Sequence, residues 1–258
     1  MPDNFSEVTE LAGSEITREQ LQRMQHRYDW AAGYCHGKDV VEVACGSGQG
    51  LGILSGVSRS LEAGDYSERI LGIARAHYGT RIPLARVDAQ SLPYPDGSKD
   101  VVVLFEAVYY IPDATRFVRE CRRVLCPGGC LLLATANKDL WDFNPSPLSY
   151  RYYGAAELAQ LLGSVGFEVQ LYGYMPVTSM SWRQRILRPL KGIAVATGIM
   201  PKTLKGKRFL KRFVFGRLTS MPAELSASGA APEPLTLLSG SEADRRHKVL
   251  YCCATLHS

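Results

Sequence analysis

The chain has 258 residues, 46% hydrophobic and 21% charged, with a formal net charge of +5. That balance suits one sizeable folded core and excludes a disordered, collagen-like or disulfide-scaffold protein. Met1–Glu15 is polar and lacks the apolar centre of a secretion signal, and no apolar run approaches the ~20 residues of a spanning helix, so a cytoplasmic protein is expected.

Thr17-Arg-Glu-Gln20 fits a capping box, and Leu21, Met24, Tyr28 and Ala31 follow at helical spacing. The run Val40-Val-Glu-Val43 predicts a buried parallel strand, feeding the turn Cys45-Gly46-Ser47-Gly48-Gln49-Gly50. Glycines there let the backbone bend sharply and approach a ligand. Asp65 lies 19 residues after Gly46, a spacing that suits a carboxylate holding a ribose at the end of the next strand. A dinucleotide fingerprint would need a third glycine where Leu51 stands, and a P-loop would need a Lys after these glycines. Strand and helix signals alternate from Val40 to Leu133. This alternation predicts a doubly wound parallel sheet. Ala155–Leu162 reads as a helix, Phe167–Tyr172 as a sixth strand and Lys248–Leu256 as the last. Between them, residues 181–217 carry 11 basic residues, while no Asp or Glu occurs between Val169 and Ala223, so the rest of the chain sums to 5 − 11 = −6. Apolar side chains such as Trp182, Leu187, Phe209 and Phe213 are interleaved with those charges. Such an insert could be a lid with solvated charges, a grip for an anionic acceptor or anionic membrane surface, or, less favoured, a nucleic-acid contact. Residues 224–241, rich in Ser, Ala, Gly and Pro, read as a mobile loop. The seven cysteines form no C-x-x-C pair and read as free thiols of the core.

Taken together, Glu42 with Cys45-Gly46-Ser47-Gly48, the acid Asp65, the segment Arg86-Val-Asp88, Lys99–Glu106 and the turn Val124-Leu-Cys-Pro-Gly-Gly129 resemble the class I S-adenosylmethionine-dependent methyltransferases. The resemblance covers roughly residues 25–175. It implies an α/β fold: a Rossmann-like, seven-stranded, mostly parallel sheet with helices on both faces, strand seven antiparallel between five and six. It implies one methyltransferase domain over 1–258: a helical cap (1–35), a cofactor-binding core (36–175), the basic insert and loop (176–245) and the last strand (246–258). It implies S-adenosylmethionine as cofactor, held by Tyr28, Glu42, Ala44, Gly46, Ser47, Gly48, Asp65, Tyr66, Asp88, Ala89 and Glu106, with no metal. In that family the glycine loop packs on the methionine arm, the acid after strand two binds the ribose hydroxyls, and the Asp-Ala pair contacts the adenine. Three positions depart from the pattern. Ala44 stands for a glycine, Glu42 for the commoner Asp, and Tyr109-Tyr110 for a Glu-His pair.

The acceptor is less legible. The position after strand four reads Phe105-Glu-Ala-Val108, not the [DN]-P-P-[YF] of amino-directed DNA methyltransferases, and Asn144-Pro-Ser-Pro147 follows strand five, where it shapes a loop. Cys126 sits in a structural turn, which disfavours it as a nucleophile. His77, His247 and His257 read as surface histidines. Glu106, Tyr109 and Tyr110 are the catalytic candidates, with pocket walls as their alternative role. The aromatic run Trp141, Phe143, Tyr150, Tyr152 and Tyr153 suits a planar or sugar-like acceptor, or core packing. The expected activity is methyl transfer to a small-molecule acceptor, at a hydroxyl of a metabolite, natural product or sugar-like compound. The alternatives are an RNA or protein methyltransferase using residues 181–217 and a non-catalytic cofactor-binding protein.

Overall fold

The computed structural model describes residues 11–177, 218–229 and 231–257. The capping box forms as expected. The Gln20 N–H donates to Thr17 Oγ1 (3.1 Å), the Thr17 N–H donates to Gln20 Oε1 (3.0 Å), and helix α1 runs Arg18–Cys35. Strands β2 (Asp39–Val43), β3 (Ser60–Asp65), β4 (Leu84–Arg86), β5 (Lys99–Phe105) and β6 (Leu125–Ala136) pair in parallel. Helices α2 (Leu51–Ser55), α3 (Glu68–Tyr78) and α4 (Ala114–Val124) connect them. After α5 (Ala155–Gly163) come β7 (Phe167–Pro176) and, much later, β10 (His247–Leu256). The order across the sheet is β4-β3-β2-β5-β6-β10-β7 and then β9 (Thr236–Leu238), with β10 antiparallel to both β6 and β7. The seven expected strands are therefore present in the expected order. The difference is an eighth, β9 (Thr236–Leu238), antiparallel on the outer edge of β7.

Each central strand is buried on both faces, and its alternate side chains feed two cores. Val101, Val103 and Phe105 of β5 join α1, α2 and the ring of Tyr251 in one cluster. Val102 and Leu104 join α4 and α5 in the other. Period-two alternation within an all-apolar strand decides which helix each residue meets.

The stretch expected to be a mobile loop is instead held at Glu224, Leu225 and β9, and the residues just before it, 219–221, are held too. A two-residue strand β8 (Thr219–Ser220) pairs antiparallel with β1 (Glu15–Ile16) at the entrance to α1. Met221 and Leu225 are buried, and the Leu225 N–H donates to the Gln49 carbonyl (2.7 Å). Glu224 accepts from Arg81 Nη2 (2.8 Å) and bonds His77 Nε2 (2.6 Å). Small polar residues signalled a turn, but Leu225 had apolar surface to bury and Glu233 accepts from Gln22 and Tyr174. His247 is also a correction. It is not at the surface but 4% exposed, its Nδ1 bonded to Asp244 (3.1 Å) and its ring packed where a Cβ on Gly173 would stand. All seven cysteines are free, six of them buried. The basic stretch 181–217 lies outside the described residues. Among the described residues no helix is long and apolar enough to cross a membrane.

Candidate active site

A cavity of about 270 Å³ opens at the C-terminal ends of β2, β3 and β5, roofed by α1. This is where a doubly wound sheet places ligands, because loops leaving neighbouring strands diverge there. Of the residues expected to bind the cofactor, Tyr28, Glu42, Ala44, Gly46, Asp65, Tyr66, Asp88, Ala89 and Glu106 line it, as do Tyr109 and Tyr110. Ser47 and Gly48 do not. Ser47 is buried behind the loop, and the Gly48 carbonyl accepts the Tyr78 hydroxyl (2.7 Å). Expectation also missed lining residues from α1, among them Gln20, Arg23, Met24 and Arg27. Their spacing of three, four and seven residues from Gln20 was the available signal, since it places them on one helix face.

The glycine loop turns through three left-handed residues, Ala44 (φ 57°), Gly46 (φ 61°) and Gly48 (φ 84°). Ala44 thus occupies a conformation that favours glycine and bears a cost of about 1 kcal/mol there. Gly46 and Ser67 each donate a backbone N–H to the Asp65 carboxylate, at 2.9 Å to Oδ2 and Oδ1 respectively. These bonds aim the carboxylate between the two loops. Burial pushes the Asp65 carboxyl above its usual range, and the N–H bonds oppose that shift.

Glu42 is 1% exposed at the end of β2. Its Oε1 accepts the Tyr28 hydroxyl (2.6 Å), and its Oε2 is buried with no partner. Burial lifts this carboxyl to about 7, against the opposing pull of Tyr28 and Arg27. A buried carboxylate oxygen left unpaired beside a cavity fits a site for a cationic group.

Glu106 follows β5 in the left-handed region (φ 51°), a strained placement that turns its side chain into the cavity. Arg27 Nη1 lies 3.5 Å from its Oε1, and the Tyr109 hydroxyl donates to its Oε2 (3.2 Å). Tyr109 stacks on Tyr152 at 4.1 Å between ring centroids, and the Tyr110 hydroxyl bonds Ser146 Oγ (2.8 Å). Burial raises both hydroxyls above the usual phenol range, Tyr109 strongly, so at neutral pH they act as hydrogen-bond donors. The aromatic run after β6 divides. Phe143 packs edge-on against Tyr152 and Tyr153 is buried, whereas Trp141 and Tyr150 are exposed.

Residues 41–133 match the family model of the methyltransferase domain, and that span contains β2 through most of β6 and the acids Glu42, Asp65, Asp88 and Glu106. Over that span the chain is similar to the S-adenosylmethionine-dependent methyltransferases. It is 39% identical over 153 residues to a probable S-adenosylmethionine-dependent methyltransferase of Mycolicibacterium smegmatis, a match covering 58% of this chain and 56% of that protein. It is 30% identical over 130 residues to a ubiquinone biosynthesis O-methyltransferase of Pseudomonas paraeruginosa, covering 49% of this chain and 54% of that one. The chain thus matches little more than half the length of these relatives. The [4+2]-cyclase SpnF shares the fold at a TM-score of 0.60 and 18% identity, over 97% of this chain and 87% of that one.

The cavity fits S-adenosylmethionine, the cofactor named for these relatives. The unpaired Glu42 oxygen offers a counter-charge to an ammonium, and Asp65 offers a carboxylate to a diol. Asp88, whose Oδ1 accepts the Gln90 N–H (2.9 Å), sits with Ala89 at the far end of the cavity. Asp65→Ala should cut affinity for S-adenosylhomocysteine on the order of a hundredfold, since hydrogen bonds to a charged group contribute ~1.5–3 kcal/mol each. Calorimetry showing unchanged affinity would refute the ribose assignment.

Proposed function

We propose that this methyltransferase acts on a hydroxyl of a small-molecule acceptor. The observation that carries this is Glu106. A carboxylate lines the cavity just after β5, steadied by Arg27 and the Tyr109 hydroxyl and separated by β2 from the strands that precede Asp65 and Asp88. The cofactor supplies an electrophilic methyl group on a sulfonium. The chain's own residues must then exclude water, align the acceptor and accept the proton that a hydroxyl sheds. Tyr109 and Tyr110, kept neutral by burial, are suited to donate hydrogen bonds to an acceptor oxygen. Glu106 is the group placed to take its proton. The matched relative named as an O-methyltransferase supports this choice over nitrogen or carbon acceptors.

The deciding experiment is an acceptor screen with cofactor labelled in its methyl group, followed by Glu106→Gln on the best acceptor. The variant should lower kcat by roughly 10²–10⁴ with a smaller change in affinity for S-adenosylhomocysteine. If kcat holds and only cofactor affinity falls, Glu106 orients the cofactor and is not the base.

A further inference from the structure

The cavity-facing side of α1 carries two guanidinium groups, and they have different surroundings. Arg27 faces both Glu106 and Glu42, and its charge is among those that lower the Glu42 carboxyl. Arg23 stands one turn earlier on the same face and also lines the cavity. Its Nε is buried without a partner, and among the described residues its side chain makes no hydrogen bond or ion pair. Its field reaches the hydroxyls of Tyr174 on β7 and Tyr251 on β10, but it is not among the charges that shift Glu42. Arg23 therefore stands over the β10–β7 half of the sheet, and the residues fitted to the cofactor occupy the β2–β3–β4 half.

The nearby carboxylates do not answer it. Glu19 accepts from Lys248 Nζ (2.8 Å). Glu233 accepts from the Tyr174 hydroxyl (3.2 Å) and from Gln22 (3.2 Å). Within the cavity, Glu42, Asp65, Asp88 and Glu106 already accept from Tyr28, backbone N–H groups, and Arg27 with Tyr109. A partly desolvated guanidinium with no counter-charge is costly unless an anion arrives, and its planar fork matches the two oxygens of a carboxylate or phosphate.

We propose that Arg23 recognises an acidic group on the acceptor, so that the preferred acceptors are hydroxyl compounds bearing a carboxylate or phosphate. This rests on the methyltransferase reading of the cavity and sharpens it to a substrate class. Arg23 would act as a specificity residue, setting acceptor affinity and the position of the hydroxyl relative to Glu106.

The test uses the full chain saturated with S-adenosylhomocysteine, titrated by calorimetry with benzoate, phenyl phosphate and the neutral isostere benzamide. Wild type should bind at least one anion on the order of tenfold more tightly than benzamide, and Arg23→Gln should erase that preference. Arg23→Lys should restore part of it, because charge returns without the fork. The tighter of the two anions identifies the acidic group. No preference for anions in the wild type, or an equal preference in Arg23→Gln, would overturn the proposal. So would a tenfold loss of S-adenosylhomocysteine affinity in Arg23→Gln, because Arg23 would then hold the cofactor's own carboxylate. If the wild type fails to bind S-adenosylhomocysteine at all, it is the cofactor assignment that falls. Circular dichroism of each variant separates these outcomes from misfolding.

Discussion

Glu42→Gln should make the cofactor-free protein more stable at pH 8 while weakening its hold on S-adenosylhomocysteine. Burial holds the Glu42 carboxyl at about 7 against an ordinary 4.5, with one oxygen unpaired. A carboxyl with a raised folded pKa binds its proton more tightly in the folded state than in the unfolded one. Its contribution is therefore fully favourable below about 4.5 and is lost as pH rises through about 7. Above pH 7 the folded chain bears the whole cost of a buried charge. At 1.36 kcal/mol per pH unit that cost is about 3 kcal/mol. Removing the charge should raise Tm at pH 8 by roughly 5 °C or more and leave it nearly unchanged near pH 4.5. Thermal unfolding of both proteins across that range checks the claim, and a gain that does not depend on pH would contradict it. The same charge is what an ammonium needs. The variant should lose on the order of tenfold to a hundredfold in S-adenosylhomocysteine affinity by calorimetry. In the wild type, affinity should fall by up to tenfold per pH unit below about 7, as Glu42 must shed its proton to meet a cation. Tyr28→Phe should move that midpoint upward, because the hydroxyl at 2.6 Å stabilises the carboxylate.

The second large effect is steric. Gly50→Ala should both destabilise the chain and unseat α1 from the cavity. Gly50 is the N-cap of α2, and its backbone is right-handed, so φ does not demand glycine there. The space does. A Cβ at position 50 would stand far inside van der Waals contact with Cε1, Cε2 and Cζ of Tyr28. Tyr28 has little freedom to move, being 5% exposed, edge-on to Phe105 at 5.3 Å and hydrogen-bonded to Glu42. Overpacking of a rigid neighbour costs about 1–3 kcal/mol, and part of it should be relieved by swinging the ring, and α1 with it, away from Glu42. The expected outcome is a lower Tm together with weaker S-adenosylhomocysteine binding. Gly50→Ala with wild-type stability and affinity would mean that α1 does not depend on this contact.

Local signals were strong wherever the chain's own chemistry forced a conformation. Thr17 and Gln20 cap α1 by side chains three residues apart in sequence. Val40–Val43 and Val101–Phe105 could only be buried strands, and the turn at Ala44–Gly46 needed small residues for its positive φ angles. Asp65 could be placed because the distance from Gly46 along one strand-helix-strand unit is nearly constant. Signals failed where a residue's neighbour lies far away in the chain. Composition suggested a loop at 224–241, but Leu225 hydrogen-bonds Gln49 and Glu224 binds both His77 and Arg81. His247 looked superficial until Gly173, on β7, left room for its ring.

By itself, then, the sequence determined the alternating strands and helices, the glycine turn and the acids Glu42, Asp65, Asp88 and Glu106, because backbone propensity and short-range spacing specify these. Only the tertiary structure decided that Glu42 keeps one oxygen unpaired, that Arg27 and Tyr109 converge on Glu106, and that Arg23 faces the cavity without a counter-charge. Those are properties of pairs brought together by folding. Their energies come from burial and from distances in space, which spacing along the chain does not encode.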